Sequence, residues 1–241
     1  MKTIMMVHGD KGGVGKSTYA SLAADFVLHQ FGKVAVVEGD AVAGDVGARF
    51  VNCSGASVIY VDLARPDMSE DAVVRLFTLI EQNANLADHI IINTPASASK
   101  TLDSQADLIK PAVEDLGYKL IVAWMIDIGD DSAILSAKSE LCKLADIKVA
   151  VRNERIKESK FLPWEKSSER KEWLKTGGIE TIMPALSERV IEKTRKGSSY
   201  TDIMTTTDSK LALVERSAIK RWVEKSWLEG VLPIYAKAGV L

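Results

Sequence analysis

The chain has 241 residues, 46% hydrophobic and 27% charged, with a formal net charge of −2. That length and balance suit a soluble globular fold with one sizeable core. No apolar run nears the roughly eighteen residues a membrane span needs. Cys53 and Cys142 lack metal-ligand or CxxC spacing, and the N-terminus runs directly into an apolar strand, so a cytoplasmic, reducing location is expected and a membrane role is not. Charge is uneven: residues 1–150 carry 13 Lys/Arg against 20 Asp/Glu, and residues 151–241 carry 18 against 13. A basic rear half suits a polyanion, and helices of alternating charge account for it equally well.

The first element is the apolar run Thr3-Ile4-Met5-Met6-Val7, a buried strand. It leads into Gly9-Asp10-Lys11-Gly12-Gly13-Val14-Gly15-Lys16-Ser17-Thr18 and then an alanine-rich helix over 17–31 that Gly32 stops. Strand, glycine loop and helix in that order make a phosphate cradle. Small residues let backbone N–H groups converge on one anion, and the positive end of the helix reinforces them. Lys16 then reaches the β- and γ-phosphates, and the Ser17 hydroxyl ligates Mg²⁺. The strict pattern has glycine six positions before that lysine; here Asp10 stands there, and a second lysine, Lys11, sits inside the loop.

Further along, a strand over 33–37 ends in Glu38-Gly39-Asp40, followed by a loop of small residues to Val46. A short strand over 58–61, a helix over 69–82 and a strand over 89–92 follow, the last ending in Asn93-Thr94-Pro95-Ala96. Periodicity then predicts a helix over 102–116, a strand over 120–126, a helix over 131–144 and a strand over 147–151 that enters a turn at Arg152-Asn153. The rear third reads as a helix over 165–175 ended by Gly177-Gly178, a strand over 179–183, a helix over 187–196 and an amphipathic helix near 209–229. Alternating strands and helices predict an α/β class: a doubly wound, mostly parallel sheet with helices on both faces, in a single P-loop domain over 1–241. Right-handed crossovers place the glycine loop and the turns at Glu38–Asp40, 93–96 and 152–153 along one edge.

The two-lysine loop, the Glu38 and Asp40 pair and the Asn93-Thr94-Pro95 turn together resemble the deviant Walker A group, the ParA/MinD family of ATPases. The resemblance covers most of the chain and is strongest over 1–50 and 88–96. Within the family, the loop and Asn-Thr-Pro-Ala resemble the plasmid-borne branch of TraL- and StbB-like proteins. It implies ATP and Mg²⁺ as cofactors, with Gly12, Gly13, Val14, Gly15, Lys16, Ser17 and Thr18 around the phosphates. It also implies a homodimer on ATP binding, in which Lys11 crosses to the partner's phosphates. By the same resemblance Lys11, Lys16 and Asp40 are catalytic, with Asp40 orienting the attacking water. Ser17, Asp40 and Asn93 surround the metal, Asn153 reads the adenine edge, and Pro184 packs on the base.

The family's strand ends in Asp-Thr-Pro, and Asn93 brings no charge there. With Asp10 near the phosphates, the expectation is slow hydrolysis and weakened metal affinity. The function expected is an ATP-dependent dimerising switch in plasmid partition, stability or conjugative transfer, with a partner protein from that system. The alternative is a nucleotide-binding adaptor with little hydrolysis that acts through protein contacts. Lys11 argues against a small-molecule kinase on the same loop.

Lys157, Lys160, Lys166, Arg170, Lys171 and Lys175 lie near Trp164 and Trp173, and Arg189, Lys193, Arg195 and Lys196 crowd one helix end. Non-specific DNA binding through these clusters is one reading. A solvated, salt-bridged helix is the other, since Glu158, Glu165, Glu169 and Glu172 interleave. The last helix is expected to pack Leu211, Val214, Ala218, Trp222 and Val223 on the sheet.

Overall fold

The computed structural model describes residues 1–241 except 41–43, 65–67, 84–86, 127, 128, 130, 156–160, 195, 196 and 207–210. Apolar runs form central strands buried on both faces, and the edge strands β3 and β7 are half-buried: β1 (Lys2–His8), β2 (Val34–Glu38), β3 (Ala56–Tyr60), β4 (His89–Asn93), β5 (Tyr118–Ile126), β6 (Ile147–Asn153) and β7 (Ile179–Met183). They pair in the order β3-β2-β4-β1-β5-β6-β7, every neighbour parallel. The fold class expected from the sequence is the one observed.

Side chains alternate across this sheet and build two cores. Met5 and Val7 face one layer, made by α1 (Lys16–Phe31), α2 (Asp45–Phe50), α10 (Glu188–Thr194), α11 (Tyr200–Thr205), α12 (Leu213–Ser226) and α13 (Leu232–Ala238). Ile4 and Met6 face the other, made by α3 (Ser69–Gln82), α4 (Ala98–Ser104), α5 (Ala106–Asp115), α6 (Asp131–Lys138), α7 (Glu140–Leu144), α8 (Leu162–Lys166) and α9 (Ser168–Lys175). From β1 the chain crosses to β2 on one side; from β4 it crosses to β5 on the other. A crevice therefore opens at the carboxyl ends of β1 and β4, where doubly wound sheets bind ligands.

Three predicted helices are each broken in two. The one over 102–116 divides at Gln105, the one over 131–144 at Ser139, and the one over 165–175 starts earlier and divides at Ser167. Ser139 Oγ accepts from the Cys142 N–H at 3.2 Å and Ser167 Oγ from the Arg170 N–H at 3.0 Å. A serine that caps a new helix ends the old one, while apolar periodicity continues through the break. Two short helices, α2 and α11, fall where loops were expected, because six residues carry too little periodicity to read.

Helix α10 ends at Thr194 among the described residues; 195 and 196, the end of its predicted span, lie outside them. Helix α12 starts at Leu213 rather than 209, and passes through a π-helical turn (Trp227–Val231) into α13. Its packed face is Ile219, Trp222 and Val223, whereas Val214, expected there, is 78% exposed. The Tyr19 hydroxyl donates to the Gly230 carbonyl at 2.8 Å inside the π turn. No helix among the described residues is long and apolar enough to cross a membrane.

A buried polar contact joins α1 to α11. Asp25, on α1, accepts the Tyr200 N–H at 2.6 Å. Nearby Arg49 donates to the Ser198 and Thr194 carbonyls at 2.6 and 2.8 Å, and its guanidinium lies 4.3 Å from the Tyr200 ring centre. Burial pushes the Asp25 carboxyl up from 3.8 to about 6, against the pull of the Tyr200 N–H and Arg49. The folded state therefore holds this proton more tightly than the unfolded chain. Its contribution to stability is complete below about pH 3.8 and is lost as pH rises through about 6. Asp25→Asn removes the titration. In urea unfolding, the stability of the wild type relative to this variant should fall by roughly 2 kcal/mol between about pH 4 and pH 7. A flat difference across that range would contradict the assignment.

Candidate functional site

The glycine loop after β1 turns sharply into α1. Gly13 and Gly15 have φ of +78° and +107°, which favour glycine. A Cβ on Gly15 would also stand 2.7 Å from Asn153 Nδ2 and 2.8 Å from Met183 Cε. Helix α1 starts at this glycine with no side-chain cap and no acidic residue in its first turn. Its first N–H groups and positive dipole end are thereby left for an anion. They open on a cleft of about 570 Å³, which Gly12, Gly13, Lys16, Ser17 and Thr18 line on this side. The Lys16 ammonium is buried and donates to the Lys11 carbonyl at 2.6 Å. Burial lowers its pKa to about 8, partly opposed by the negative charges of Asp10 and Asp40.

Across the cleft stand the ends of β2 and β4. Glu38 is buried, and its Oε2 accepts the N–H groups of Val46 at 2.9 Å and Gly47 at 3.0 Å, which caps α2 from eight residues away. Its Oε1 accepts the Asp40 N–H at 3.1 Å and Asn93 Nδ2 at 2.8 Å. Asn93 Nδ2 is also 3.5 Å from Ser17 Oγ, while Asn93 Oδ1 is buried with no hydrogen-bond partner. Asp40 is half-buried and lines the cleft. The structure thus gathers Ser17, Asp40 and Asn93, the three residues expected around a metal. No group of three or more His, Cys, Asp or Glu able to hold a metal occurs among the described residues. A Mg²⁺ carried on nucleotide phosphates needs few protein groups. The Ser17 hydroxyl and the Asp40 carboxylate in the cleft fit one, while Asn93 presents its donor Nδ2 to Ser17.

The other expected residues are placed as follows. Lys11 is half-buried on the loop, and the residues lining the cleft do not include it. Asp10 is exposed and accepts from Ser99 Oγ at 2.9 Å, which ties the loop to α4. The Val14 side chain packs into the core, and its carbonyl accepts Asn153 Nδ2 at 3.1 Å. Asn153 Oδ1 accepts the Arg155 N–H at 3.1 Å, so this amide, expected to read a base, already braces the glycine loop from the end of β6. Pro184 lines the cleft, and its carbonyl accepts Trp222 Nε1 at 2.7 Å.

Sequence reasoning missed Arg49, Tyr200 and Trp222, which line the far end of the cleft from α2, α11 and α12. Nothing local marks them. The Glu-x-Asp turn is legible in the sequence, but the anchoring role of Glu38 is not, because its partners lie on α2 and β4.

The aromatic-interleaved basic surface considered for DNA is not formed as expected. Trp164 and Trp173 are buried edge to face at 6.0 Å, and Trp164 Nε1 donates to Glu180 at 2.6 Å. Arg170 makes a two-point contact with the same carboxylate at 2.9 and 2.6 Å. Lys166, Lys171 and Lys175 are exposed, Arg189 and Lys193 both pair with Glu215, and 157, 160, 195 and 196 lie outside the described residues.

The strand order, the glycine loop between β1 and α1 and the facing Glu38 and Asn93 turns define a P-loop fold of the ParA/MinD type. Among solved structures, the chain resembles the cell division ATPase MinD of Pyrococcus furiosus, with a TM-score of 0.55 and 14% identity over 93% of this chain and 99% of that one. It also resembles a ParA family ATPase from Chlorobium tepidum TLS, with a TM-score of 0.52 and 16% identity over 93% and 99%. A curated relative is Protein MobD of Acidithiobacillus ferrooxidans, 25% identical over 236 residues, which span 96% of this chain and 98% of that protein. No protein-family model matches the chain. The ParA/MinD resemblance seen in the loop therefore holds for the fold.

Gly39 sets how closely β2 approaches β4 at this site: its Cβ would stand 2.5 Å from the Asn93 carbonyl oxygen. Gly39→Ala should destabilise the protein by about 1–3 kcal/mol in urea unfolding, as overpacking against backbone does. Wild-type stability in that variant would show that the strand ends have room to part.

Proposed function

We propose that the chain is an ATP-binding switch protein that dimerises on ATP and hydrolyses it slowly, acting as one P-loop domain. The observation that carries this reading is the uncapped start of α1, free of acidic residues, with the buried Lys16 ammonium beside it. The loop N–H groups and the α1 dipole take the β- and γ-phosphates. Lys16 exchanges the Lys11 carbonyl for phosphate oxygen. Ser17 and Asp40, with Asn93 beside them, would hold a Mg²⁺, which would neutralise phosphate charge. Asp40 accepts a hydrogen bond from the attacking water and orients it in line with the γ-phosphate. Asn153 keeps the loop in shape, and Met183, Pro184 and Leu186 give the base an apolar seat.

Lys11 stands outside the cleft of its own chain, which suits a lysine that serves the partner's phosphates. We place the protein in the cytoplasm, in plasmid partition, stability or conjugative transfer, with a partner protein of that system. The full-length relation to Protein MobD and the ParA-type fold support the setting. DNA contact, where it occurs, draws on the exposed Lys166, Lys171 and Lys175. A nucleotide-binding adaptor with little hydrolysis is favoured by one observation, the negative charge of Asp10 acting on Lys16. Single-turnover hydrolysis of ATP, with and without DNA, separates the two.

Lys16→Ala should weaken ATP binding at least 100-fold in calorimetry, a loss of about 3 kcal/mol or more. Lys11→Ala should bind ATP nearly as the wild type does and lose the ATP-dependent dimer in light scattering. An intact dimer in the Lys11 variant would remove the proposed crossing of subunits.

A further inference from the structure

His8 closes β1 just before the glycine loop, and its side chain follows Ile4 and Met6 onto the layer away from α1. The ring is fully buried and stands edge-on to Trp124, its register partner on β5, at 5.0 Å. Its Nδ1 lies 3.1 Å from Thr94 Oγ1, and the Thr94 hydroxyl donates to the Val7 carbonyl at 2.9 Å. A hydroxyl has a single hydrogen, so with that hydrogen on Val7 the imidazole donates through Nδ1–H. Nε2, buried and without a partner, is then a bare acceptor, which proteins tolerate better than an unpaired buried N–H. Burial, aided by the charge of Lys16, lowers the ring's pKa to about 3, so it stays neutral.

The contacts from His8 to Thr94 and from Thr94 to Val7 fix the turn after β4 against the end of β1. That turn meets the cleft at Thr94, Pro95 and Ala96. The apolar seat of Met183 and Pro184 stands on the β7 side of the glycine loop, and the turn stands on the β4 side. A nucleotide whose base takes that seat therefore points its last phosphate at the turn. Thr94 gives its N–H to Val7 at 3.3 Å and Pro95 has none, so the Ala96 N–H is the first backbone donor the turn offers.

We propose that His8 is a positioning residue which, acting through Thr94, makes the cleft prefer a nucleoside triphosphate to a diphosphate. It holds the turn where a third phosphate reaches it, while the phosphates seated on the glycine loop do not depend on it. This inference rests on the nucleotide reading of the loop.

The test measures, by calorimetry in Mg²⁺, the affinities for ADP and for a non-hydrolysable ATP analogue. His8→Leu fills the space without the donor, and should weaken analogue binding roughly fivefold relative to ADP, the worth of one hydrogen bond. Thr94→Val should show the same loss, and adding His8→Leu to it should bring no further one. His8→Asn places an amide N–H near the position of Nδ1–H, and should keep the wild-type ratio of affinities. A ratio unchanged in both His8→Leu and Thr94→Val, because neither nucleotide or both alike lose affinity, overturns the proposal. If His8→Leu fails to fold, the other two variants decide: an unchanged ratio in Thr94→Val, or a lowered one in His8→Asn, is the overturning result. Those outcomes leave ADP bound and the nucleotide reading intact, whereas a wild type that binds neither nucleotide sinks both.

Discussion

A buried carboxylate has to be surrounded by donors, and the structure around the cleft follows from meeting that need at Glu38. An unpaired charge in an apolar interior is too costly to keep, so the chain brings four donors to it. Two come from the start of α2, one from Asp40 and one from the last residue of β4. Meeting them sets where β2 stops, turns Asp40 into the cleft and aligns α2 against the sheet. It also fixes which way the Asn93 amide faces. Gly39 follows from the same closeness, since its backbone N–H reaches the Asn93 carbonyl at 2.9 Å and leaves no room for a side chain.

The glycine loop is held from outside by comparable means. Asn153 braces the Val14 carbonyl from β6, and Asp10 ties the loop to α4 through Ser99. The two contacts hold the loop from both sides of β1: β6 lies beyond β5 on one side, and α4 follows β4 on the other. The loop at the start of α1 is therefore mechanically linked to the turn after β4, and that turn is where Thr94, Pro95 and Ala96 meet the cleft. Under the proposed function, a ligand that moves the loop would disturb the turn through this linkage.

Legibility varied with the range of the interaction. The loop could be read because its chemistry is local: strand, glycines, lysine and helix occupy consecutive residues. The parallel sheet could be read because strands buried on both faces are apolar throughout, as in Ile90-Ile91-Ile92. Helix breaks at Ser139 and Ser167 could not, since a serine that caps and a serine in mid-helix look alike without the surrounding backbone. Trp164, Trp173 and Arg170 looked like a nucleic-acid surface because aromatic and basic residues alternate there. Only the position of Glu180 on β7 shows that they close over a half-buried carboxylate contact.

The sequence by itself determined the fold class, the glycine loop and some of the residues that meet in the cleft, Ser17 and Asp40 among them. Each depends on short-range pattern, and backbone geometry turns such a pattern into structure with little choice. Tertiary structure alone decided what several of those residues do there. It committed Asn153 to bracing the loop, brought Arg49, Tyr200 and Trp222 to the far end of the cleft, and set Glu38 against Asn93. Those roles rest on contacts across 38 residues or more of chain, which exist only once the strands from β2 to β6 stand in register in one sheet.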